Sequence, residues 1–191
     1  MAYARPMDEE LTLHELTRLE ADRKLKSLPT AVLETAWVRE AQVEAVIDAV
    51  LVVALSNTQA IARARHAGEW CARIAGALPC GPDPAFARRV GALSEVDPAA
   101  LERIPELRHL APYVRDYQAY AIEGGGNPRA MSLVTCVARE FDERITLDED
   151  GRAPSPQAVL GMMIAHADEI TRPIVEALQT AVHPVSHVRV A

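Results

Sequence analysis

The sequence predicts an all-α helical bundle, and three observations carry that expectation. Apolar residues recur at spacings of three and four along most of the chain, the period of a helix with one buried face. No segment alternates apolar and polar residues as a half-buried strand would. Asn127-Pro128 and Ser155-Pro156 each pair a side chain able to cap free amides with a proline, which needs no N–H at the first helical position. The length of 191 residues suits one domain with an appended element, and 49% hydrophobic content is enough for a core. Aromatics are only 4%, so the core is expected to be small and medium aliphatics on closely packed helices.

Taken in order, Leu11, Leu16, Leu19, Leu25 and Leu28 predict a first helix over about 8–28, which Pro29 ends because it cannot donate the next helical hydrogen bond. A second helix over about 31–55 runs through Val32, Trp37, Val43, Val46, Ile47 and Val50. Its end is apolar nearly all round, which implies burial on several sides or a subunit interface. Ser56-Asn57-Thr58 restarts the chain into a helix over 58–78 with Ile61, Arg65, Trp70, Ile74 and Leu78. The turn Pro79 to Pro84 follows, then short helices over 84–94 and 98–104. A helix over 106–122 sets Leu107, Leu110, Val114, Tyr117 and Ala121 on one side, with a kink expected at Pro112. Glu123-Gly124-Gly125-Gly126-Asn127-Pro128 is a turn, with Asn127 as cap and Pro128 opening a helix over 128–146 whose stripe is Met131, Val134, Val137, Phe141 and Ile145. Leu147 to Pro154 is loop. Ser155 opens a helix through Val159, Leu160, Met163 and Ile164, Thr171 caps a last one through Val175 and Leu178, and the tail from His183 is loose.

Twenty basic against 27 acidic residues give a net charge of -7, and the basic residues are scattered, so a nucleic-acid partner is not expected. The most apolar run, Ala45 to Leu55, is interrupted by Asp48 and falls short of the ~20 residues of a membrane span. The acidic start, with Asp8, Glu9 and Glu10, lacks a signal-peptide pattern, and the expected location is cytoplasmic. Cys71, Cys80 and Cys136 are odd in number and form no CxxC pair, so they read as small buried hydrophobes. His166 and Asp168 stand two apart, which points them to different faces of a helix. Glu95 with Asp97 reads as solvated acids in a short loop.

A series of segments then points to a family. "ARARHAGEWCARIAGAL" (62–78), "LERIPELRHLAPYVRDYQ" (101–118), "EGGGNP" (123–128), "VAREFDERIT" (137–146) and "SPQAVLGMM" (155–163) stand in one order. That series resembles the HD-GYP phosphohydrolases, over roughly 58–182. "EGGGNP" sits where the family's D-G-x-G-Y-P belongs, and "VAREFDERIT" is similar to its V-A-D-x-F-D-A-L-T. The resemblance implies an HD-domain-like helical bundle (58–182), an N-terminal helical extension (1–57) able to dimerise, and a tail (183–191).

The family's chemistry needs clustered divalent metals held by several His and Asp, which generate a hydroxide to attack a phosphodiester. By this resemblance His66 stands at the first histidine. The adjacent H-D pair falls near 93–96, where the chain has Leu93, Ser94, Glu95 and Val96. The H-H-E positions read Gln118, Ala119 and Tyr120, and the aspartate of V-A-D is Arg139. His66 is then a relic, and His66, Glu95, Glu123 and Arg139 are the candidate residues of the ancestral pocket, with Arg139 expected to pair with Glu95, Glu123 or Glu140. The expected protein is a pseudoenzyme with no metal, cofactor or catalytic residue, acting as an interaction or regulatory module. It is expected to form a homodimer through Val43, Val46, Ile47 and Val50, or to meet another protein partner. Two alternatives stay open. One is a sensor that holds a cyclic dinucleotide or other phosphate ligand on Arg139 and Arg115. The other is a residual phosphodiesterase with an altered ligand set.

Overall fold

A computed structural model describes residues 30–55, 57–123, 128–146 and 154–182, with side chains from residue 38 onward except those of Ile122 and Glu123. The expected helix over 8–28, the cap at Asn127, the loop 147–153 and the tail from His183 lie outside these residues. Among the described residues there are eight helices and no strand, as the all-α prediction requires. In chain order they are α1 (Thr30–Ala54), α2 (Thr58–Ala77), α3 (Pro84–Ala92), α4 (Pro98–Glu102), α5 (Ala111–Glu123), α6 (Ala130–Ile145), α7 (Pro156–His166) and α8 (Arg172–Val182). The chain divides into two units, 1–42 and 43–191. Of the first, the structure describes part of α1. The second takes in residues 43–57 because Ile47 and Leu51 bury themselves in its core.

Local chemistry sets most helix starts. The Asn57 side chain accepts from Ala60 N at 2.8 Å, Asp83 from Phe86 N at 2.8 Å, Asp97 from Ala99 N at 2.9 Å and Ser155 from Ala158 N at 3.2 Å. Each satisfies an amide that the helix itself leaves without a partner. At α8 the Thr171 carbonyl accepts from Ile174 N and Val175 N, while its hydroxyl donates instead to Asp168 at 2.7 Å.

Two expected boundaries are corrected. The helix predicted over 106–122 begins at Ala111, and residues 103–110 are turns. A proline inside a helix loses a hydrogen bond and crowds the carbonyl four residues earlier, so Pro112 sits in the first turn rather than at a kink. The helix predicted from 128 begins at Ala130, with Arg129 in the cap position and no side chain of its own capping it. The cap comes from another helix: Asp116 of α5 accepts from Arg129 N at 2.9 Å and from the Ser132 hydroxyl at 2.5 Å. A carboxylate there also meets the positive end of the α6 dipole. The Ser132 hydroxyl, with the Arg129 amide and charge, holds the Asp116 carboxyl below its ordinary 3.8 despite some burial. Its contribution is therefore complete above that value and lost as pH falls through the lower folded value. Asp116→Ala is expected to cost about 1 kcal/mol at neutral pH, and the gap to wild type in chemical denaturation closes below about pH 4.

The centre of the fold is α6, buried well beyond the predicted stripe: Met131, Val134, Val137 and Phe141 are joined by Leu133 and Ala138. Thr135, also buried, donates to Met131 O at 2.9 Å, so its hydroxyl stays satisfied. Helices α2, α3, α5, α7 and α8 all pack on α6. Helices α2 and α3 approach unusually closely. A Cβ on Gly68 would lie 2.7 Å from Arg88 O, and one on Gly91 would lie 2.5 Å from Cys71 Sγ, so the absence of side chains at both positions permits the contact.

Candidate functional site

Four segments far apart in sequence meet along one side of α6. Arg139 and Asp142 are three residues apart on that helix and share a face. The Arg139 guanidinium pairs with Glu95, from the turn between α3 and α4, and lies 3.5 Å from Glu143, one turn further along α6. Its side chain is only 14% exposed, against 38% for Glu95. Burial works against the charged guanidinium, but the Glu95 carboxylate, with Tyr117 and Glu143, more than offsets this and holds its pKa above the ordinary value. Two of its donors, Nε and Nη1, are buried without a hydrogen-bond partner.

On the same face, His66 Nδ1 of α2 lies against the Asp142 carboxylate. The histidine is half open to solvent while Asp142 is 6% exposed. The imidazole also meets Trp70 edge-on at 5.8 Å, and Trp70 in turn meets Phe141 edge-on at 4.9 Å. This aromatic series fixes α2 against α6 directly beneath the polar pair. From α5, Gln118 Nε2 donates to Ser94 O at 2.9 Å and to Val96 O at 3.0 Å. These bonds clasp the backbone on both sides of Glu95 and present its carboxylate to Arg139. Arg63, Arg139, Asp142, Glu143 and Thr146 line a small cavity of about 110 Å³ at this place.

The structure thus pairs Arg139 with Glu95 and sets His66 against Asp142, three residues on from Arg139 along the same helix. It pairs Arg115 with Glu102 instead, at 2.7 Å on an exposed surface. The Glu123 side chain lies outside the described residues. Asp97 caps α4 while Glu95 pairs with Arg139 instead of standing solvated beside it, and His166 and Asp168 each serve their own local backbone. Among the described residues no three His, Cys, Asp or Glu side chains are placed to hold a metal ion. Burial pushes the Cys71 thiol up to about 12 and the Cys136 thiol up to about 11, so neither is a thiolate at neutral pH. Sequence reasoning missed Asp142 and Glu143 as partners of His66 and Arg139. The helical spacing from Arg139, three and four residues on, is the signal that identifies both.

Of the four expected interface residues, Ile47 is corrected. It is 4% exposed and belongs to the core of its own chain. Val43, Val46 and Val50 are half-buried, whereas Val53 is 86% exposed. Among the described residues no helix is long and apolar enough to cross a membrane.

Comparison of the chain with family models, with curated proteins and with solved structures finds no match.

Proposed function

We propose that this chain is a degenerate, catalytically inactive relative of the HD-GYP phosphodiesterases, working in the cytoplasm as an interaction or regulatory module. The observation that carries the reading is the convergence on one face of α6. Positions 66, 93–96, 118 and 139 come from four segments, and the family resemblance puts metal ligands at or near each. Here His66 pairs with Asp142, Arg139 pairs with Glu95, and Gln118 clasps the backbone on both sides of Glu95. A divalent metal centre does not fit these side chains. Arg139 adds a fixed positive charge at the centre of the group, and its carboxylate partners are already committed to it. The same pairing weighs against the sensor reading, since a phosphate would have to displace Glu95 and Glu143 from the guanidinium.

The expected result is that purified protein carries less than one tightly held transition-metal ion per chain and hydrolyses cyclic dinucleotides no faster than buffer. Stoichiometric metal by elemental analysis, or hydrolysis abolished by His66→Ala, overturns the reading.

The module acts as a homodimer through the outer face of α1. Supporting this, Val53 and Val52 are 86% and 61% exposed, beside an apolar groove formed with Val96, Ala100 and Ile104. Val53→Glu adds charge without touching the core, and is expected to give a folded monomer in sedimentation velocity. A wild-type monomer at micromolar concentration refutes the dimer and leaves the metal prediction standing.

A further inference from the structure

Away from this site, α1, α2 and α3 enclose a cleft of about 260 Å³. We propose that it binds a small zwitterion with an aliphatic side chain, of the class of the free branched-chain amino acids. The floor is apolar, made by Ile47, Leu51 and Ala92. The walls carry both signs of charge: Glu44 and Asp48 from α1, Arg65 and Glu69 from α2, and Arg88 from α3.

The pairing within these walls is uneven. Asp48 and Arg65 are joined at 2.8 Å, and Glu44 is joined to Arg89 at 2.8 Å. Arg88 is left with a 3.4 Å contact to Glu44 and a 3.9 Å contact to Glu69. Its Nε is buried with no hydrogen-bond partner. A guanidinium this loosely held has donors to give, because good charge-assisted bonds are ~2.7–2.9 Å long. Glu69 faces it and is half open to solvent. An α-carboxylate on Arg88 and an α-ammonium on Glu69 would replace one long contact by two short ones, and an aliphatic side chain would cover the floor.

The charge pattern selects this class. A simple anion would meet three carboxylates, and a simple cation would meet the guanidinium groups of Arg65 and Arg88. Only a ligand with both charges gains from both walls. The volume limits its size, since sites for drug-sized ligands run to roughly 300–1,000 Å³.

The experiment is calorimetric titration of the full chain with L-leucine, with 4-methylpentanoate, which lacks the ammonium group, and with 3-methylbutylamine, which lacks the carboxylate. Leucine is expected to saturate with Kd near 1 mM or tighter, and each analogue to bind at least tenfold more weakly. Arg88→Gln and Glu69→Gln, both at half-exposed positions, should each weaken leucine binding at least tenfold while the helical circular dichroism is unchanged. No saturable leucine binding up to ~10 mM overturns the proposal. So does an analogue that binds as well as leucine, or leucine binding that neither substitution alters. If a variant fails to fold, the wild-type comparison of leucine with its two analogues decides alone.

Discussion

Arg139→Asp is expected to lower stability by about 3 kcal/mol and to restore no hydrolysis, although by the family resemblance it reinstates a metal-binding residue type. The substitution removes the guanidinium paired with Glu95 and Glu143 and adds a third carboxylate beside them, with Asp142 on the next turn. Breaking a buried pair costs roughly 3–5 kcal/mol because a charge is left without a partner. The low end applies because Glu95 is 38% exposed and can regain water. For a chain of this size that corresponds to a fall in melting temperature of about 6–12 °C. Arg139→Met separates the contributions: it keeps the stem's packing, adds no anion, and is expected to lose less. A melting temperature for Arg139→Asp within ~2 °C of wild type would mean that the ion pair contributes nothing to stability.

Phe141→Ala is expected to be at least as costly, about 3–5 kcal/mol. Phe141 is 0% exposed and sits edge-on to Trp70 at 4.9 Å. Truncation removes apolar area from the core and leaves a cavity that the helices around α6 cannot wholly close. The loss should appear as a lower denaturant midpoint with an unchanged slope, since the folded state stays compact. Trp70 also touches His66, so His66→Ala combined with Phe141→Ala should deviate from additivity. A Phe141→Ala cost below ~1 kcal/mol would show that the site collapses freely.

The two substitutions divide along the line between what was legible in the sequence and what was not. Phe141 was readable: it falls in the stripe with Met131, Val134 and Val137, and helical spacing alone puts such residues on one face. The starts at Asn57 and Ser155 were readable for the same local reason, since a cap bonds to an amide three residues away. The pairing of Arg139 with Glu95 follows only from the order of family-like segments, which offers Glu123 equally. Its neighbours Asp142 and Glu143 lie on the same helix, but helical spacing alone does not say what they meet.

By itself, then, the sequence determined the all-α class, most helix positions and the apolar face of each, because these depend on interactions within one or two turns. The tertiary structure decided what crosses between segments. It gave α6 its cap from Asp116, thirteen residues before Arg129. It turned Ile47 into its own core and left Val53 outside. It clasped Glu95 between Gln118 and Arg139. Each joins groups that no local period relates. Their meeting follows only when packing brings the helices together, and burial then makes an unpaired charge or amide too costly to leave.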